Sequence, residues 1–167
     1  MPPAADPSLF AEATAVPIHK SREEIAALLR TWGCTGVQWT DDWMSPARFT
    51  LRFAWPFEGQ TYMARLMVAL PPDEKILRGY PARGRIPRSE WLEREREQHA
   101  RRLHRLLAMK LKMDLNAVHS GVLTVAEAIL PFLEGPDGRT VSEVAQARLP
   151  ELLGRGAAGL LEDHRGR

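Results

Sequence analysis

The sequence predicts an α+β fold: a helix, a three-stranded antiparallel sheet, a long helix and two short C-terminal helices in a two-layer sandwich. Three observations carry that prediction. Apolar residues recur at helical spacing over 22–32 and again from 89 to about 120. Between those stretches, residues 37–70 alternate apolar and polar with the period of a strand. The aromatics of the alternating block share one parity, so one sheet face needs a cover, and the helices carry matching apolar stripes.

Residues 1–17 hold four prolines among small residues and are expected to form a flexible arm. Ser21-Arg22-Glu23-Glu24 has the form of a capping box, with Ile25, Leu28 and Leu29 following and Gly33 as the stop. A helix over 22–32 is expected. Val37, Trp39 and Trp43 share one parity, as do Phe49, Leu51, Phe53 and Trp55 in a second strand at 48–55. After Glu58-Gly59-Gln60 a third strand over 61–70 places Tyr62, Leu66, Val68 and Leu70 in phase.

Gly79, Pro81, Gly84 and Pro87 mark residues 73–88 as a loop. Ser89 is the expected cap of a helix reaching about Ser120, with Ala100, Leu103, Leu107, Leu111, Leu115 and Val118 as its stripe. Thr124 to Glu127 and Thr140 to Glu143 are further capping boxes, opening helices that should stop at Pro131 and near Pro150. The domain is therefore expected to span 18–153, with a flexible tail over 154–167.

A chain of 167 residues with 44% apolar content supports one ordinary domain. No run approaches the ~18 apolar residues of a membrane span, and the N-terminus lacks the basic and apolar regions of a signal peptide. Cys34 is the only cysteine, which excludes an internal disulfide. A reducing cytoplasm is the expected compartment. Net charge is +2, but residues 78–112 hold eleven Arg or Lys against four acids, leaving a segment of +7 and a remainder of −5. That asymmetry is the strongest physical lead to function.

Arg94, Arg101, Arg105 and Lys112 fall within a narrow arc opposite the leucine stripe. With Arg83, Arg85, Arg88 and Arg102 they form a candidate contact for a phosphate backbone. The bland alternative is a solvated face in which Glu90–Arg94 and Glu97–Arg101 pair at i,i+4. Those two pairs would leave Arg102, Arg105 and the arginines at 78–88 unmatched. Arg48, Arg52 and Arg65 share the outward parity of the sheet. The sheet aromatics lie on the other parity, which argues against an RRM-like reader of single strands. The element order parallels double-stranded-RNA-binding domains, but this long helix opens Ser89-Glu90-Trp91 where that family has a lysine cluster.

No catalytic site is expected. His99, His104 and His119 lack metal-ligand spacing and are expected on the surface. Asp41 and Asp42, adjacent on a strand, should point to opposite faces, and Cys34 has no fixed histidine partner. No cofactor or metal is expected.

The stretch Lys112-Met-Asp-Leu-Asn-Ala-Val-His-Ser-Gly-Val-Leu-Thr-Val-Ala-Glu-Ala-Ile-Leu-Pro-Phe-Leu, followed by Pro136-Asp-Gly-Arg-Thr-Val141, resembles a family of small uncharacterised proteins of bacteriophages, prophages and bacterial mobile elements. Their pattern runs like KAKLEAVESGI-TVEEEFL-F and then PDGRTV. The resemblance covers about 17–144, with Asp114 where the pattern has a second lysine and Asn116 where it has glutamate. It implies a mobile-element origin and the cytoplasm of a bacterial or phage-infected cell, and carries over no site residue. The expectation is a non-enzymatic accessory protein contacting DNA or RNA through 78–112. The alternative is an adaptor or inhibitor acting on a host or phage protein, and no membrane contact is expected.

Overall fold

The computed structural model describes the backbone of residues 14–162 and the side chains of residues 14–151. Helix α1 (Ile18–Thr31) begins before the Ser21 box, directly after an extended Pro17. Ser21 does not cap it. Ser21 is fully buried with Ile25 and Leu29 at i, i+4 and i+8, a stripe one turn longer than the box allows. Burial of that stripe overrides the local capping signal, and Gly33 ends the helix at φ +80°.

Three strands follow, β1 (Thr35–Asp42), β2 (Arg48–Phe57) and β3 (Gln60–Ala69), antiparallel in the order β1-β2-β3. Glu58 and Gly59 join β2 to β3 with φ of 49° and 76°, the left-handed pair that a two-residue hairpin turn requires. The turn fixes the register from Phe57 opposite Gln60 to Leu51 opposite Leu66. Central β2 buries Phe49, Leu51, Phe53 and Trp55 on the predicted parity. β1 ends at Asp42, so Trp43 lies on the turn and not in the strand.

Residues 73–88 are not all loop. A one-turn helix, α2 (Asp73–Leu77), sits between Pro72 and Arg78 and buries Ile76. Five residues are too few to show helical periodicity. The long helix α3 (Arg88–His119) starts after Pro87 without a side-chain cap, so Ser89 lies in its first turn. Gly121, at φ +73°, follows its C-cap Ser120. Helix α4 (Val125–Ile129) has the full predicted box, Thr124 Oγ1 accepting from Glu127 N and Glu127 accepting from Thr124 N. A single 3-10 turn, Leu130–Phe132, follows it.

Helix α5 (Val141–Glu162) uses the Thr140–Glu143 box but does not stop at Pro150. The proline forfeits one backbone bond, to the Gln146 carbonyl, without ending the helix. The expected tail from 154 is therefore helical to Glu162, and 163–167 lie outside the described residues, as do 1–13 of the expected arm.

Helices α1 and α3 cover one face of the sheet. Ile25 and Leu29 from α1 meet Leu51, Phe53, Trp55 and Leu66 from the sheet and Leu107, Leu111 and Leu115 from α3. Each fully buried leucine contributes roughly 1.5–3 kcal/mol. A second cluster at the far end joins Ala47, Phe49 and Leu70 to Ala100. The fold is thus the α+β architecture expected, with two helices on one sheet face.

Candidate nucleic-acid interface

The connection from α2 to α3 runs Arg78-Gly-Tyr-Pro-Ala-Arg-Gly-Arg-Ile-Pro87 and contains no acid. It is a built loop. Gly84 N donates to the Pro81 carbonyl at 3.0 Å, closing a turn. Tyr80 Oη donates to the Ile86 carbonyl at 2.8 Å, clasping the two ends. The Tyr80 ring in turn meets Trp91 of α3 near-perpendicularly, centroids 5.5 Å apart. A β-carbon on Gly84 would lie 2.3 Å from Tyr80 Oη, so only glycine lets the turn close over that ring.

This clasp presents Arg78, Arg83, Arg85 and Arg88, all exposed. None has a carboxylate within ion-pair distance among the described residues. The arginines of the helix differ. Arg94 pairs with Glu90 at 2.6 Å and Arg101 with Glu97, as the bland reading expected. Arg105, expected to be unmatched, pairs with Glu24 of α1 across the helix interface. Arg96 forms a two-bonded pair with Asp73, at 2.8 and 2.7 Å. Arg102 is half-buried, its Nε shielded without a hydrogen-bond partner, while Lys112 is exposed and has no ion pair among the described residues.

Of the eight nominated residues, then, Arg83, Arg85 and Arg88 form one continuous presentation with Arg78. Arg94, Arg101 and Arg105 are each neutralised by a neighbour. On the sheet, Arg65 is held by Glu134 at 2.9 Å, Glu143 at 2.7 Å and the Gly138 carbonyl at 3.0 Å, so it is a tie between β3 and the segment leading into α5. Arg52 pairs with Glu134 at 3.1 Å. Arg48 is exposed with no ion pair among the described residues.

One buried cluster went unread in the sequence. His104 is fully buried, not a surface histidine. Its Nδ1 lies 2.7 Å from the Ala100 carbonyl, which can only accept, so Nδ1 carries the proton. Nε2 then accepts from Arg22, at 3.1 Å from Nε and 3.0 Å from Nη2. Arg22 bonds Asp41 at 2.7 Å and lies 4.5 Å over the Trp39 ring. Burial lowers the His104 pKa, opposed by the Ala100 bond, with Arg22 lowering it further and Asp41 raising it. The available signal was spacing: 100, 104, 107, 111 and 115 trace one stripe.

Asp41 and Asp42 do diverge, Asp42 Oδ1 accepting from Met44 N at 2.9 Å. Cys34 is buried, and burial pushes its thiol up to about 12, so no thiolate nucleophile forms near neutrality. His99 is half-buried, with burial lowering its pKa, and His119 is exposed. Among the described residues no three His, Cys, Asp or Glu converge as metal ligands, and no helix is long and apolar enough to cross a membrane. No protein-family model, curated protein or solved structure matches the chain.

Proposed function

We propose that the protein binds the phosphate backbone of nucleic acid through the clasped loop between α2 and α3, as a non-enzymatic accessory protein of a phage or mobile element. One observation carries this reading: four exposed arginines, Arg78, Arg83 and Arg85 of one ordered loop and Arg88 at the first residue of α3, have no carboxylate within ion-pair distance among the described residues. A pre-ordered loop binds without first losing its own conformational entropy. Four phosphate contacts on a duplex give a slope of log affinity against log salt of about −3.6, so affinity falls roughly hundredfold between 50 and 200 mM salt.

Gel mobility shifts with single- and double-stranded DNA and RNA at those two salt concentrations test the reading. Absence of any shift at ~50 mM, where phosphate contacts are strongest, ends it.

A protein-binding adaptor is the second reading. It is favoured by a cavity of about 360 Å³ between β3, α3 and α5, lined partly by Leu66, Val68, Leu107 and Phe132 beside exposed Met67. Nuclease treatment separates the two readings, since a nucleic-acid-bridged partner is lost and a direct one is retained.

A further inference from the structure

We infer that the turn between β1 and β2 is a base-stacking platform and that the ligand of the arginine loop is single-stranded nucleic acid. The inference rests on the loop's binding a phosphate backbone and specifies the form of the strand.

Trp43 and Met44 are 46% and 77% exposed, although both are apolar and lie on an ordered turn. The turn is held on one side by Asp42, whose Oδ1 accepts from Met44 N. On the other side Ser45 Oγ accepts from Asp73 N at 3.3 Å, at the first residue of α2. The Trp43 ring meets fully buried Phe49 at 78°, centroids 4.9 Å apart, which anchors it while leaving nearly half its surface open. A mobile indole would lose entropy on stacking, and this one is already placed.

The platform and the cations belong to one end of the molecule. Asp73, bonded through its N–H to the turn, accepts two bonds from Arg96 of α3. Arg78 follows at the end of five-residue α2, about 8 Å along the helix axis at 1.5 Å per residue. An aromatic face tied through Ser45 and Asp73 to the helix that leads into an unneutralised cationic loop supplies the combination that single-strand binders use, bases on the ring and phosphates along the arginines. Of the sheet's own aromatics, Phe49, Phe53 and Trp55 are buried under the helices, and exposed Phe57 and Tyr62 lie beside the β2–β3 turn, at the opposite end of β2 from Trp43. Trp43 escapes that cover only because β1 stops at Asp42. A paired duplex offers stacking faces only at its ends, so Trp43 adds affinity for a single strand and none for duplex interior.

Fluorescence anisotropy with a labelled single strand and a duplex of the same length tests this on the full chain. Trp43→Leu keeps apolar bulk against Phe49 and removes the aromatic face; Trp43→Phe keeps a ring. The expected result is a roughly tenfold loss of single-strand affinity for Trp43→Leu, little loss for Trp43→Phe and unchanged duplex affinity for both. Equal single-strand affinity for Trp43→Leu and the natural chain overturns the platform, and so does an equal loss on both ligands. If Arg83→Gln/Arg85→Gln weakens binding in that case, the phosphate-binding loop survives alone. No binding of either ligand by the natural chain overturns both. Should Trp43→Leu fail to fold, photocrosslinking of the natural protein to an iodouracil-bearing strand decides: a crosslink on the peptide holding Trp43 supports the platform, and crosslinks only elsewhere overturn it.

Discussion

The loop before α3 and the outer face of α3 carry the same residue type and opposite electrostatic lots. In the loop and at its junction with α3, Arg78, Arg83, Arg85 and Arg88 have no ion pair among the described residues. On the helix, Arg94, Arg101 and Arg105 each meet a glutamate. The difference arises from geometry more than composition. A helix brings i and i+4 together, so an arginine four residues after a glutamate is neutralised by default. An acid-free loop clasped by Tyr80 has no such partner to offer. A count of cations along the sequence therefore overstates the helix and understates the loop.

The most damaging change expected is on the helix's buried side. Leu107→Ala removes a side chain that is 5% exposed in the main core, and should cost ~2–5 kcal/mol in chemical denaturation. The same variant should show unchanged phosphate binding at a temperature where it is folded. A large loss of binding there would mean that α3, and not the loop, is the contact surface.

Next comes the buried His104. Its folded pKa lies below its unfolded value, so the unfolded chain takes up the proton first. Its contribution to stability is complete above the ordinary histidine pKa of ~6.5 and is lost as pH falls from there through the folded value. Within that window one histidine can change stability by at most ~1.4 kcal/mol per pH unit. Urea melts from pH 7.5 to 5 should show stability falling as pH falls for the natural chain, and falling less for His104→Gln, which cannot be protonated. Equal slopes in both proteins would place the acid sensitivity elsewhere.

A smaller effect, on binding alone, is expected from the loop. Arg83→Gln/Arg85→Gln should leave the melting curve within ~0.5 kcal/mol of the natural chain, as exposed substitutions do. Affinity for all sequences should weaken alike, because phosphate contacts position without reading bases. On duplex DNA the salt slope should become shallower by about 1.8, nearly one for each contact removed. An unchanged slope would reduce these arginines to solvated surface.

The fold was legible where local chemistry and tertiary packing agree. Thr124 and Thr140 cap the helices that their boxes announced, since each helix starts at its threonine, whose hydroxyl accepts from the N–H three residues on. Ser21 has the same local signature but lies on the face that α3 covers, and burial claimed it. The strand parities were legible because a buried face imposes period two on Phe49, Leu51, Phe53 and Trp55. The site was only half legible. That 78–88 is basic is a matter of counting, but the pairing of Arg105 with Glu24, 81 residues away, exists only once α1 packs on α3. The Tyr80–Ile86 clasp and the salience of Trp43 likewise depend on where a chain turns, which periodicity does not report.

The smallest effect expected is also the sharpest test of the loop–helix contrast. Arg94→Gln/Arg101→Gln removes two cations whose exposed pairs with Glu90 and Glu97 are each worth ~0.3–0.5 kcal/mol at most. Stability should therefore fall by less than ~1 kcal/mol. The variant also releases both glutamates from their partners, adding two uncompensated negative charges to the start of α3. If the loop alone engages phosphate, these lie outside the contact. They then weaken binding only through the general field, an effect that fades once salt shortens the screening length to ~8 Å at 0.15 M. Affinity at ~0.15 M salt should match the natural chain and the salt slope should stay within experimental error. The loop variant, carrying the same change in net charge, should differ on both counts. A helix variant that flattens the salt slope as much as the loop variant does would show that phosphate displaces the glutamates, and the contrast between the two regions would vanish.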